Sequence, residues 1–216
     1  MPFNLENECR IHGVNKLLTE QIDSRLFPLL ERATDIDLTL NMFLEQKQVE
    51  DEKTILSNFK VFENLLVEIK NELTLEPKEI AVLFLLDYLI IVESLFTDIV
   101  DIISYALIST GKVLTDPRSC REVITFEEIR ILPLGMKLDF IRSNGFSMIS
   151  DRCLVKLRNS AAHLSYALDE NGNITLQQGD FIRIFDDMNE LQDKLRDAAV
   201  GGHIALRHFY YEKYVK

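Results

Sequence analysis

Apolar side chains recur along most of this chain at steps of three and four, the spacing that places them on one face of an α-helix. Ile11, Val14, Leu17, Leu18, Ile22 and Leu26 begin the pattern within a helical but irregular stretch from about Glu8 to Gln48. Pro28 is expected to kink or end that first run, because proline lacks the N–H that a helix interior needs and crowds the preceding turn. The next run is more regular, with Ile55, Phe59, Phe62, Leu66, Ile69 and Leu73 forming a seam. Its acidic start at Asp51 and Glu52 suits the positive end of a helix dipole. The seam suits one half of an antiparallel helical hairpin packed on a main bundle. Thr74-Leu75-Glu76-Pro77 interrupts the pattern, and Pro77 is well placed in the first turn of a new helix. Two parts follow: an N-terminal helical segment over 1–76 and a helical domain over 77–216.

From Ile80 to Leu107 apolar residues occupy most of the helical circumference, leaving Asp87, Ser94, Asp98, Asp101 and Tyr105 as one polar stripe. A helix apolar nearly all round is a buried central helix. Its acids, Asp87, Glu93, Asp98 and Asp101, deny it the run of about 20 nearly uncharged residues that a bilayer span needs. Gly111 closes it, and Thr115-Asp116-Pro117 begins a loop. Thr125-Phe126-Glu127-Glu128 fits a capping box, opening a short helix that Pro133 and Gly135 should break before Met136 to Arg142 resumes. Asn144-Gly145 is a turn or helix stop. A further helix is expected from Ser147 or Ser150 to about Leu168, with Leu154, Leu157, Ala161, Leu164 and Leu168 as a narrow apolar seam. Asn171-Gly172 marks a β-hairpin between Tyr166 to Asp169 and Asn173 to Leu176, with no other sheet expected. Phe181, Phe185, Met188, Leu191 and Leu195 describe an amphipathic helix, which Gly201-Gly202 should end before a short aromatic helix from Ile204 to Tyr214. The fold class is all-α: a helical bundle with one small hairpin.

Composition agrees, since 8 Gly and 5 Pro in 216 residues favour helix over sheet or disorder. A chain of this length buries a sizeable core without staples. Cys9, Cys120 and Cys153 are an odd number with no paired spacing, so neither a disulfide framework nor a zinc knuckle is expected. With no basic, then apolar, then small-residue signal at the start, the reading is a cytoplasmic protein with no membrane partner. The glycine loops that cradle phosphates and the nucleophile elbow are absent from the sequence. His203 and His208 lie five apart with no carboxylate between them on their face. They and His12 read as structural or surface residues, and neither a metal nor a cofactor is expected.

The net charge of −11 argues against broad affinity for nucleic acid. Its distribution changes that picture. Between Lys112 and His163, nine basic residues (Lys112, Arg118, Arg121, Arg130, Lys137, Arg142, Arg152, Lys156, Arg158) face six acids, giving that stretch +3. The candidate chemistry lies at its end, in Lys156-Leu157-Arg158-Asn159-Ser160-Ala161-Ala162-His163-Leu164-Ser165-Tyr166. On a helix, Lys156, Asn159 and His163 line up opposite the apolar seam and Arg158 falls on the flank.

Arg158, a polar Asn159, three further residues and His163 resemble the signature of the HEPN superfamily, an all-helical fold found in ribonuclease toxins and antiviral defence proteins. The acidic turn and hairpin after the motif fit as well, and the resemblance covers roughly Pro77 to Tyr214. It implies a metal-independent endoribonuclease that uses the RNA 2′-hydroxyl as nucleophile, with Arg158, His163 and Asn159 as catalytic residues and Arg152 and Lys156 binding RNA. It also implies a homodimer with facing motif helices, and an antitoxin protein as a further partner. Where HEPN toxins paired with a nucleotidyltransferase carry a Tyr two residues after the His, this chain has Ser165, with Tyr166 one further on. The rival expectation is a non-catalytic helical module that binds RNA or a protein partner.

Overall fold

Gly201 and Gly202, where the sequence predicts a helix end, lie inside a 24-residue helix, α11 (Asp187–Tyr210). The computed structural model describes residues 3–50, 52–177, 179–184 and 186–216, so Asp51 and Phe185 of the expected helices fall outside the described residues. A Cβ on Gly201 would stand 2.8 Å from Thr19 Oγ1, and one on Gly202 would stand 2.8 Å from Ile99 Cγ2. The glycines therefore let α2 (Lys16–Ile36) and α6 (Thr97–Ser109) approach α11 more closely than any side chain would allow. Each costs about 1 kcal/mol of helix propensity, which the close packing offsets. Gly202→Ala is expected to overpack this contact and lower stability by about 1–3 kcal/mol, read as a fall in Tm. A raised Tm would mean that Ile99 moves aside freely.

α1 (Leu5–His12) stops at Gly13, which adopts the left-handed conformation at φ 61°. α2 then continues through Pro28, so the run does not end there. Pro28 is exposed, so the carbonyl that loses its partner lies on the wet side of the helix. The buried face of Leu18, Ile22, Leu26 and Leu30 holds the helix in place along α11. α3 (Leu38–Glu50) and α4 (Glu52–Glu72) pack on each other, with Leu56, Phe59 and Leu66 buried. Arg196 of α11 fastens α4 by donating to Glu63, and it holds the α1 end through the carbonyls of His12 (2.6 Å) and Gly13 (3.1 Å).

α5 (Pro77–Ile90) and α6 join through a π turn (Ile91–Phe96) into one helix, Pro77–Ser109. Contrary to the sequence reading, an 18-residue window of this helix, with mean hydropathy 2.1, is long and apolar enough to cross a membrane by length and composition. In the fold, 44% of that window is buried. α6 is buried on nearly every side from Ile99 to Leu107, packed by α2 and α8 (Leu134–Ser143), whereas α5 leaves Val82 and Leu86 exposed. α7 (Phe126–Arg130) opens with the predicted Thr125–Glu128 capping box.

β1 (Thr115–Asp116) and β2 (Arg121–Glu122) make a short ribbon that the sequence does not predict. The predicted hairpin is present as β3 (Tyr166–Leu168) and β4 (Ile174–Leu176), and β5 (Phe181–Ile182) extends it to three strands. Gly172, at φ 79°, is where a Cβ would meet the Pro77 carbonyl at 2.3 Å, so the hairpin tip sits against the start of α5. Helix accounts for 71% and strand for 6%, which makes the fold predominantly α. One hydrophobic core runs from Cys9 to Tyr210 and crosses Pro77 without a break.

Candidate functional site

The motif helix is shorter than its sequence pattern. α9 (Ser147–Ser150) is a single turn, and α10 (Val155–Ala162) begins only after Leu154, which is extended at φ −86°, ψ 91°. The cause is Tyr88: its buried hydroxyl accepts the Leu154 N–H at 2.7 Å in place of a carbonyl of the preceding turn, while the Leu154 carbonyl, 3.4 Å from the same hydroxyl, opens α10 by accepting the Arg158 N–H at 3.1 Å. Burial pushes the Tyr88 phenol up, and it pushes the neighbouring Cys153 thiol up to about 11, so this cysteine is no nucleophile at neutral pH.

At its other end α10 closes with Leu164 N–H on the Ala161 carbonyl (3.2 Å) and Ser165 N–H on the Ser160 carbonyl (2.8 Å). This is a Schellman-type closure, in which a left-handed residue usually supplied by glycine turns the chain. Here that residue is Leu164, at φ 52° and with 77% of its surface exposed. Leu164 thus leaves the predicted seam and Leu168 lies in β3, while Leu157 and Ala161 are buried as expected.

Lys156, Asn159 and His163 are all exposed, as the helical spacing predicts. Arg158 is half-buried; its Nε donates to Glu93 Oε1 at 2.6 Å and its Nη1 donates to Asn159 Oδ1 at 3.0 Å. Lys156 donates to Asp180 Oδ2 at 3.0 Å. Arg152 turns back, with its Nε 3.4 Å from the Met148 carbonyl. His163 caps the end of α10, its backbone N–H on the Asn159 carbonyl at 3.1 Å.

Glu93, which the sequence reading names only as a charge interrupting the apolar helix, is the carboxylate that meets Arg158. The predicted stripe of Asp87, Ser94, Asp98, Asp101 and Tyr105 is not one face either. Asp87 accepts from Gln192 of α11 (2.9 Å), Asp101 is buried against Lys137 of α8 (2.5 Å), and Tyr105 is buried against Phe126. The π turn offsets Asp87 from the α6 residues, because its wider winding breaks the helical wheel of about 100° per residue, and within α6 Asp101 and Tyr105 are buried where α7 and α8 pack on them. Carbonyls in and just before the π turn are covered by side chains: Ser94 Oγ donates to Ile90, Thr97 Oγ1 to Val92 (2.7 Å) and His203 Nε2 to Leu95 (3.2 Å). Ser94 and Thr97, hydroxyl residues three apart beside Glu93 and Asp98, are the sequence signal that could have placed it. His203 is wholly buried and structural, while His208 meets Asp23 at 3.0 Å.

The positive stretch is less cationic than its count. Arg118 pairs with Asp116, Lys137 with Asp101, Arg142 with Asp139 and Asp151, Lys156 with Asp180, and Arg158 with Glu93. Among the described residues no three His, Cys, Asp or Glu side chains are grouped to hold a metal ion. Comparison with protein-family models, curated proteins and solved structures finds no match to this chain.

Proposed function

We propose that the chain is an endoribonuclease of HEPN type that acts as a homodimer. The observation that carries this reading is the end of α10, where an exposed His163 follows the helix and Arg158, five residues earlier, has its guanidinium anchored on two separate N–H groups. RNA brings its own nucleophile, so such a site needs only an acid–base group that titrates near neutrality and a cation for the charge on the phosphorane. His163 takes the 2′-hydroxyl proton, a second His163 or water protonates the departing 5′-oxygen, and Arg158 holds the phosphate oxygens. Lys156 and Arg152 supply further charge for the backbone.

The dimer is favoured because one Arg and one His make a sparse site, and a two-fold axis through this face doubles both. A leucine in the left-handed region costs on the order of 1–2 kcal/mol, and burying the exposed Leu164 against a second copy offsets it. A toxin or defence role with an antitoxin partner follows from the family resemblance alone. The rival, a non-catalytic helical module, is favoured by the acidic partners that Arg158 and Lys156 already hold and by the net charge of −11.

The test is cleavage of mixed RNA by the wild type beside His163→Ala. We expect cutting in EDTA, products ending in a 2′,3′-cyclic phosphate or 3′-phosphate with a 5′-hydroxyl, and no cutting of DNA. His163→Ala should lose at least about a hundredfold with Tm unchanged, since the side chain is exposed. Loss in EDTA with restoration by magnesium, or 5′-phosphate products, would refute the mechanism, and RNA binding without cleavage would favour the module. Sedimentation at micromolar concentration should give a dimer; a monomer counts against the shared cleft.

A further inference from the structure

We infer that Glu93 is a positioning residue for Arg158, delivered to the site by the π turn. This rests on the ribonuclease reading and adds to it a residue from another part of the chain, 65 positions away. An arginine side chain carries about 2 kcal/mol of rotamer entropy, so a free guanidinium must be ordered when it meets the developing charge. Here Glu93 fixes Nε and Asn159 fixes Nη1, which together set the plane of the group. Nη2 and the second N–H of Nη1 remain as an edge that matches two phosphate oxygens. The ordering is completed before the substrate arrives, so its benefit falls on the transition state.

Three features make Glu93's place a built one. It lies within the π turn, so its side chain emerges at an angle that a continuous α-helix would not give. The turn is held by Ser94 and Thr97 from within and by His203 from α11. The pair is also partly solvated, with 49% of the Glu93 side chain and 28% of the Arg158 side chain exposed. Such a pair adds little to stability, so its substitution tests function without unfolding the chain.

The opposite role is a latch, in which Glu93 competes with phosphate for Arg158, and kinetics separate the two. If Glu93 positions Arg158, Glu93→Ala lowers kcat by between about tenfold and a hundredfold and leaves KM nearly unchanged. Glu93→Gln, which keeps an acceptor at the same place, recovers part of the loss. In an Arg158→Ala background Glu93→Ala costs nothing more. The Arg158 Nε–H resonance should be sharp in the wild type and lost in Glu93→Ala. A rise in rate or RNA affinity in Glu93→Ala, losses that multiply in the double variant, or an unchanged Nε–H signal would overturn the assignment. A wild type that cuts no RNA overturns the ribonuclease reading and this role with it. A cutting wild type beside an unaffected Glu93→Ala overturns this role alone.

Discussion

Lys137→Ala is expected to cost the fold about 3–5 kcal/mol, a large share of a domain's usual stability. Lys137 Nζ donates to Asp101 Oδ1 at 2.5 Å, and the two residues are 1% and 4% exposed. Burial pushes the Asp101 carboxyl up from its usual range, and the Lys137 ammonium beside it pulls it part of the way back. Removing either partner leaves the other charge in a dry setting between α8 and α6 with nothing to compensate it. Asp101→Ala should therefore cost about as much. Replacing both, as Lys137→Met with Asp101→Leu, should fall within about 1 kcal/mol of the wild type or above it, because apolar packing removes both desolvation penalties. Urea unfolding of the three variants decides the matter. Single variants that lose less than about 1 kcal/mol would mean that water reaches the pair.

Arg158→Ala is expected to lower RNA cleavage by at least about a hundredfold while leaving Tm close to the wild type. On the proposed mechanism the loss falls on the transition state, where an always-charged planar group would grip two oxygens of the phosphorane. Arg158→Lys should not restore the rate. A lysine ammonium presents its donors from one point, so it cannot bind Glu93, Asn159 and a pair of phosphate oxygens at once. Steady-state kinetics on one RNA substrate, with circular dichroism on each variant, provide the comparison. A fully active Arg158→Ala would remove this residue from the site, and a fully active Arg158→Lys would reduce its role to bare charge.

The local pattern of the chain determined the helical class, the Pro77 helix start, the Thr125–Glu128 cap, the Asn171-Gly172 hairpin and the exposed Lys156, Asn159 and His163 stripe. Each of these depends on residues within about one helical turn or one hairpin of each other, and a sequence displays such relations directly. Tertiary structure decided the rest. Pro28 and the Gly201-Gly202 pair stay inside helices because α11 packs along α2 and, at Gly202, against Ile99 of α6. α10 starts late because the Tyr88 hydroxyl takes the Leu154 N–H. Arg158 meets Glu93, and Lys137 withdraws from the apparent cationic stretch to meet Asp101, across separations of 65 and 36 residues. A backbone hydrogen bond diverted by a distant hydroxyl, an approach distance between helices and the partner of a desolvated charge are all set by which surfaces come together, and that is a property of the packed chain rather than of any window along it.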